Sequence, residues 1–197
     1  MRIPFTLLFF LVGIICFCQN KVEWEPDIKL SFSDFASQES EINESLSSTF
    51  ISSGANLEFG YQMSNAQFMF TKNFNSMITA VFNRSAAVIT AVDSLQANNL
   101  VAYGQYTFDL SELYARKFRK RLYENKSAFS GADYYKPIFN EIQEEMNTEV
   151  ARVSKLTELG SKRDILSFEH QKVLEQIDGF PEFCKSCKPK KKKKSKN

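Results

Sequence analysis

One stretch governs what this chain can fold into: the run from Tyr103 to Leu122, in which Leu110, Tyr114, Phe118 and Leu122 recur at every fourth position. That spacing places four large apolar side chains on one face of a helix. The basic run from Arg116 to Arg121 falls mostly on the other side and near the C-terminal end, where cations suit the helix dipole. The rest of the chain has to cover such a helix.

At 197 residues the chain has room for one domain with short tails and a substantial core. A content of 43% hydrophobic and 24% charged residues is that of an ordinary globular protein, and 19 phenylalanines predict a core built largely of aromatic rings. The formal charge of +2 conceals a division, because Arg2 and eight lysines from Lys185 onward lie outside the acidic part of the chain. Between them acidic residues outnumber basic ones.

Arg2 precedes an apolar run from Phe5 to Cys18 that is short for a bilayer span. Cys16 and Cys18 supply small residues at the −3 and −1 positions of a cleavage site. Residues 1–18 therefore read as a secretory signal peptide, which predicts a secreted or periplasmic protein beginning at Gln19 with no transmembrane span. Bulky Ile15 and Phe17 before the cysteines argue against a lipoprotein signal. Residues 19–183 read as the domain and 184–197 as a lysine-rich disordered tail.

Along the chain, Lys29–Phe35 alternates apolar and polar residues as an extended segment, and Ser37–Ser48 reads as a polar loop. Strands are expected at Leu57–Tyr61, Gln67–Thr71 and Met77–Phe82, close enough for an antiparallel meander. Ser85 is a candidate N-cap for a helix over Ala86–Leu95, joined with little break to the central one. Asp133 suits the start of a helix from Tyr134 to Leu156 with Ile138, Ile142, Met146, Val150 and Val153 in one stripe, stopped by Gly160. A last helix is expected over Arg163–Ile177. The sum is an α+β fold: a small antiparallel sheet followed by about four helices.

Gln105, the run Phe108-Asp109-Leu110 and the run Glu112-Leu113-Tyr114-Ala115-Arg116-Lys117 match a motif that reads His-Glu-Gln-x-His-Phe-Asp-(Ile/Leu)-x-Glu-Leu-Tyr-Ala-Arg-Lys. On these residues the chain resembles a family of secreted bacterial proteins, a domain of unknown function predicted to be zinc-dependent peptidases. Weaker likenesses lie at Leu30–Phe35 and Ser52–Tyr61. The resemblance implies a zincin-like architecture and a metal helix, in which two histidines one turn apart hold zinc and the intervening glutamate activates its water. Here the histidine positions are Tyr103 and Thr107, the glutamate position is Gly104, and the third-ligand position downstream is Leu159. None serves a zinc ion, so no cofactor is expected. The scaffold without its metal implies a non-catalytic binding or structural protein, with a protein or peptide ligand in a former substrate cleft lined by Tyr103 and Thr107. A working zinc peptidase is the alternative.

Other residues carry chemistry of their own. Asp109 and Glu112, three apart on one helix, are either an acid/base pair or structural carboxylates, and Glu112 with Arg116 is an ordinary i, i+4 ion pair. His170 is the single histidine, read as a surface or half-buried polar residue; a mixed metal site with Cys184 and Cys187 has little to support it. Cys184-Lys185-Ser186-Cys187 is either a disulfide clasp or a redox pair. The run Lys190, Lys191, Lys192, Lys193, Lys194 is either a solubilising tail or a salt-sensitive binder of anionic envelope surfaces, with no specific nucleic acid implied.

Overall fold

The computed structural model describes residues 20–60 and 62–190; the expected leader at 1–18, Gln19, Tyr61 and the run Lys191–Lys194 lie outside the described residues. In chain order the elements are β1 (Lys21–Glu23), β2 (Glu41–Ile42), β3 (Phe50–Ser52), β4 (Ala55–Phe59), α1 (Asn65–Phe70), β5 (Ile78–Asn83), β6 (Val88–Ala91), α2 (Ser94–Asn125), α3 (Tyr135–Thr157) and α4 (Arg163–Asp178). Single 3-10 turns sit at Phe32–Asp34, Asn75–Met77, Arg84–Ala86 and Pro181–Phe183. The expected α+β class is the observed one.

The strands form two small sheets. One has the order β1-β5-β4 and is antiparallel throughout, with Val22 opposite Phe82 and Leu57 opposite Ala80. The other has the order β2-β6-β3; β3 runs antiparallel to β6, and β2 runs parallel to it. Both sheets, together with α3 and α4, pack on α2.

Being enclosed on all sides sets α2 apart from a surface helix. Every residue from Tyr103 to Arg116 is buried. The Asp93 carboxylate starts the helix, its Oδ1 accepting the Gln96 N–H at 2.7 Å. On one flank Leu110, Leu113, Phe118 and Leu122 join Leu57, Phe74, Ile78 and Ile142 in the larger core. On another, Leu100 and Phe108 join Phe35, Phe82 and Ile89 in a smaller one. The aromatic core expected from composition is present, with edge-on ring pairs Phe35–Phe82 at 5.3 Å, Phe82–Phe108 at 5.6 Å and Phe59–Phe118 at 5.5 Å.

Several local expectations are corrected. Gln67–Thr71 is not a strand but most of α1, because Ser64 and Gln67 close a reciprocal capping box that nucleates a helical turn. The three-strand meander is therefore reduced to the β4–β5 hairpin with α1 inserted in it. Ser85 caps no helix; Val88–Ala91 forms β6, as its β-branched run prefers, and the helix begins only after Asp93. The polar loop at Ser37–Ser48 contributes the two-residue β2. Tyr134, without a side-chain cap, precedes α3 in place of Asp133. The α3 stripe holds as expected, with Ile142, Met146 and Val153 buried. Gly160 follows two non-glycine residues of positive φ and has φ 90°; a Cβ there would lie 2.5 Å from the Asn99 carbonyl oxygen. Among the described residues no helix is long and apolar enough to cross a membrane.

Gly104 is a matter of space rather than of backbone conformation. A Cβ added there would stand 2.5 Å from Cζ of Phe35, whose ring is 2% exposed and so has nowhere to withdraw. Gly104→Ala is expected to destabilise the fold by about 1–3 kcal/mol through overpacking. In a urea-denaturation cycle with Phe35→Leu the double variant should lose less than the sum of the two single losses, since the smaller side chain vacates the contested volume.

Candidate functional site

Among the enclosed faces of α2 one is polar. Gln105, Asp109, Glu112, Arg116 and Arg119 follow one another at steps of four, three, four and three residues, and all are buried. Buried polar groups must be matched, and these are matched largely by the two ends of the domain. Gln105 accepts the Leu30 N–H at 2.8 Å and donates to the Ile28 carbonyl and to Asp109. Asp109 accepts from Trp24 Nε1 at 2.6 Å, from Gln105 at 3.0 Å and from His170 Nε2 at 2.6 Å. Glu112 receives Arg116 Nε at 2.8 Å and Arg119 Nη1 at 2.9 Å. The two guanidiniums then reach carbonyls of the C-terminal segment: Arg116 bonds those of Ile177 and Phe180, and Arg119 bonds that of Phe183 as well as Ile78 on β5. Burial lowers the Arg119 pKa from its ordinary value and Glu112 pulls it back only in part.

This ion cluster forms the floor of an open cleft of about 510 Å³. Trp24, Pro26 and Ala80 give it apolar walls, and the Cys184–Ser186 segment is one lip. Arg116 also lies 5.6 Å from the Trp24 ring centroid, a cation–π contact. Cys184 and Cys187 are joined in a disulfide. Lys185, between them, reaches across to Glu23 on the opposite lip. The segment taken to begin a disordered tail is thus fastened to the domain: Asn75 Nδ2 donates to the Glu182 and Cys187 carbonyls, each at 3.0 Å. Lys190, the described part of the lysine run, is an exposed residue near Glu182. At the floor two guanidiniums face one carboxylate, and at the rim Glu25 has no cation partner among the described residues while Glu23 is paired.

The four motif positions lie elsewhere, inside the core. Tyr103 and Thr107 are each 4% exposed and do not line this cleft. Tyr103 donates to the Val150 carbonyl and stacks on Tyr106; Thr107 Oγ1 donates to the Gly104 carbonyl one turn back. Burial pushes the Tyr103 phenol above its usual range, away from the phenolate that a metal would need. Leu159 packs against both cores, and Gly104 is covered by Phe35. These side chains do not fit a zinc ion. Among the described residues no group of three or more His, Cys, Asp or Glu side chains is placed to hold a metal. The conceivable site of His170, Cys184 and Cys187 is not assembled, since His170 is bonded to Asp109 and both sulfurs are in the disulfide.

Asp109 and Glu112, the candidate acid/base pair, belong to separate networks: one bonded to Trp24, Gln105 and His170, the other to two arginines. His170 is half-buried as expected, but its bond to Asp109 was not foreseen. Nor were Trp24, Arg119 and Lys185 as parts of a site. The four-three-four-three polar repeat of α2 was the available signal, and it points to a buried polar seam rather than to a solvated face.

Next to His170, the 6%-exposed Glu169 ties α4 to α3 through Arg152 and accepts from Lys172 Nζ at 2.7 Å. Burial alone would raise its pKa, but the hydrogen bonds from Lys172 and Arg152 outweigh burial and hold it below the ordinary carboxylate range. Compared with family models, curated proteins and solved structures, the chain matches none.

Two outcomes follow from these networks. Glu112→Gln leaves two guanidiniums buried against a neutral amide and is expected to cost about 3–5 kcal/mol in urea denaturation. The ionised Glu169 stabilises the fold fully above the unfolded glutamate value of about 4.3, and this is lost as pH falls through its lower folded value. The urea midpoint should therefore fall more steeply between neutral and acid pH in the wild type than in Glu169→Gln.

Proposed function

We propose that this chain is an exported, non-catalytic binding protein on a zinc-peptidase-like scaffold, and that it holds a short zwitterionic peptide in the Trp24–Arg116 cleft. The observation that carries the reading is the charge layout of that cleft. Its floor has two guanidiniums to one carboxylate, its walls include Trp24, Pro26 and Ala80, and its rim presents Glu25, which has no cation partner among the described residues. A peptide carboxylate complements the floor, apolar side chains complement Trp24 and Pro26, and a free ammonium complements Glu25. Export rests on the leader-like sequence before Gln19. The absence of catalysis rests on Tyr103, Thr107 and Leu159, whose side chains are engaged in packing, and on Gly104, which has no side chain, where the resemblance calls for metal chemistry.

The chain has a single tryptophan, so its emission reports this cleft alone. Titration with trileucine carrying free ends should shift Trp24 emission saturably. The C-terminal amide and the N-acetyl form should each bind at least about tenfold more weakly, the loss of one charge-assisted hydrogen bond. Arg116→Gln, checked for folding by circular dichroism, should abolish the preference for the free carboxylate. Equal binding of all three peptides, or none, overturns the ligand assignment. Elemental analysis of the mature protein after dialysis against zinc separates the other reading: stoichiometric zinc would restore the peptidase.

A further inference from the structure

A second groove lies beside His170, between α2, the start of α4 and the segment before the Phe32–Asp34 turn. It is lined by Lys29, Asn98, Ala102, Gln105, Arg163 and His170 and has a volume of about 470 Å³. We propose that it is a binding site for a phosphomonoester, held by Lys29, Arg163 and the Nδ1 atom of His170.

The first support is the state of the cations. Among the described residues nearly every lysine and arginine has a carboxylate or an aromatic ring as partner. The exceptions are Lys29, Lys155, Arg163 and Lys188, and two of these four meet in this groove. Arg163 makes only a long contact, 3.5 Å, to the Asn98 carbonyl. Both side chains are exposed, so neither is needed for packing.

The second support is the imidazole. Asp109 is buried and receives N–H donors from Trp24 and Gln105, so its carboxylate acts there as an acceptor. The 2.6 Å contact from His170 Nε2 is then an N–H donated to it. In the neutral ring that fixes the proton on Nε2 and leaves Nδ1 as the atom with a lone pair, on a ring that lines the groove and is held edge-on to Tyr106. A lone pair flanked by two unpaired cations suits a ligand that brings both negative charge and a proton. A phosphomonoester does so near its second ionisation, at about 6, where the monoanion carries a proton for a phosphate oxygen and Nδ1 to share. A carboxylate or a phosphodiester brings charge without that proton. Asp164 and Ser167 line an adjoining hollow that shares Arg163 and His170 with the groove.

The test uses the fact that His170 is the only histidine, so its ring resonances are a single-site probe. Phenyl phosphate added to the full-length mature protein should move the His170 ring signals saturably, while acetate and dimethyl phosphate at equal concentration and ionic strength should not. Lys29→Gln and Arg163→Gln should each weaken the phenyl phosphate response at least about tenfold, the loss of one charge-assisted hydrogen bond. Short-chain dihexanoyl phosphatidate carries the same group on a monomeric lipid. A tenfold preference for it assigns the ester to a lipid headgroup, and equal affinity assigns it to a soluble ester. No movement of the His170 signals with phenyl phosphate overturns the proposal, as does an equal response to acetate or an unchanged response in both variants.

Discussion

The structure depends on the matching of one buried polar seam. Gln105, Asp109, Glu112, Arg116 and Arg119 lie inside the molecule on a helix that supplies only part of their partners. The remaining donors and acceptors come from residues 24–30 at one end of the domain and 177–183 at the other. Apolar packing could hold the sheets and helices on α2 in more than one way, because it is non-directional. Matching five polar groups fixes the position of both chain ends. A buried ion pair contributes little net stability against an apolar substitute, so the gain from Glu112 and its arginines lies in fixing geometry.

At positions 103, 104 and 107 the same helix carries groups for packing rather than for metal chemistry. Where the resembling motif needs a glutamate, Gly104 leaves room for the Phe35 ring, and where it needs histidines, Tyr103 and Thr107 bond to nearby carbonyls. Gly104 and the Phe35 ring depend on one another. A glutamate at position 104 requires the Phe35 ring to leave, and Phe35 is part of the smaller core with Phe82 and Phe108. Restoring the motif residues alone would set them against that core.

The long helices were legible because their signals are local and repeated: the four-residue spacing from Leu110 to Leu122 and the α3 stripe from Ile138 to Val153. The strands were less so. β4 stood out by its alternation and β5 as an apolar run, but β2 and β3 are two and three residues long and exist only through pairing with β6. Val88–Ala91 was read as helix because Ser85 offered an N-cap, although its β-branched residues favour a strand once a neighbour is present. The cleft was hidden for a different reason. Trp24, Arg116 and Lys185 are far apart in sequence, and no local pattern links them; only tertiary contact does. The motif residues drew attention to Tyr103 and Thr107, whereas the polar positions of the same helix, offset from them, reach the surface groups.

The attachment of residues 24–30 and 177–183 to α2 also bears on the order of folding. The helix lies mid-chain, while the acceptors for Arg116 and Arg119 at Ile177, Phe180 and Phe183 are among the last parts of the domain to be synthesised. Until they arrive, burying the two guanidiniums would leave N–H groups unmatched in a low-dielectric interior, which is costly. Closing this side of the helix therefore requires residues 177–183, whose carbonyls match the two guanidiniums. The C-terminal segment acts as the final fastening of the fold, and a chain truncated before it lacks more than a tail.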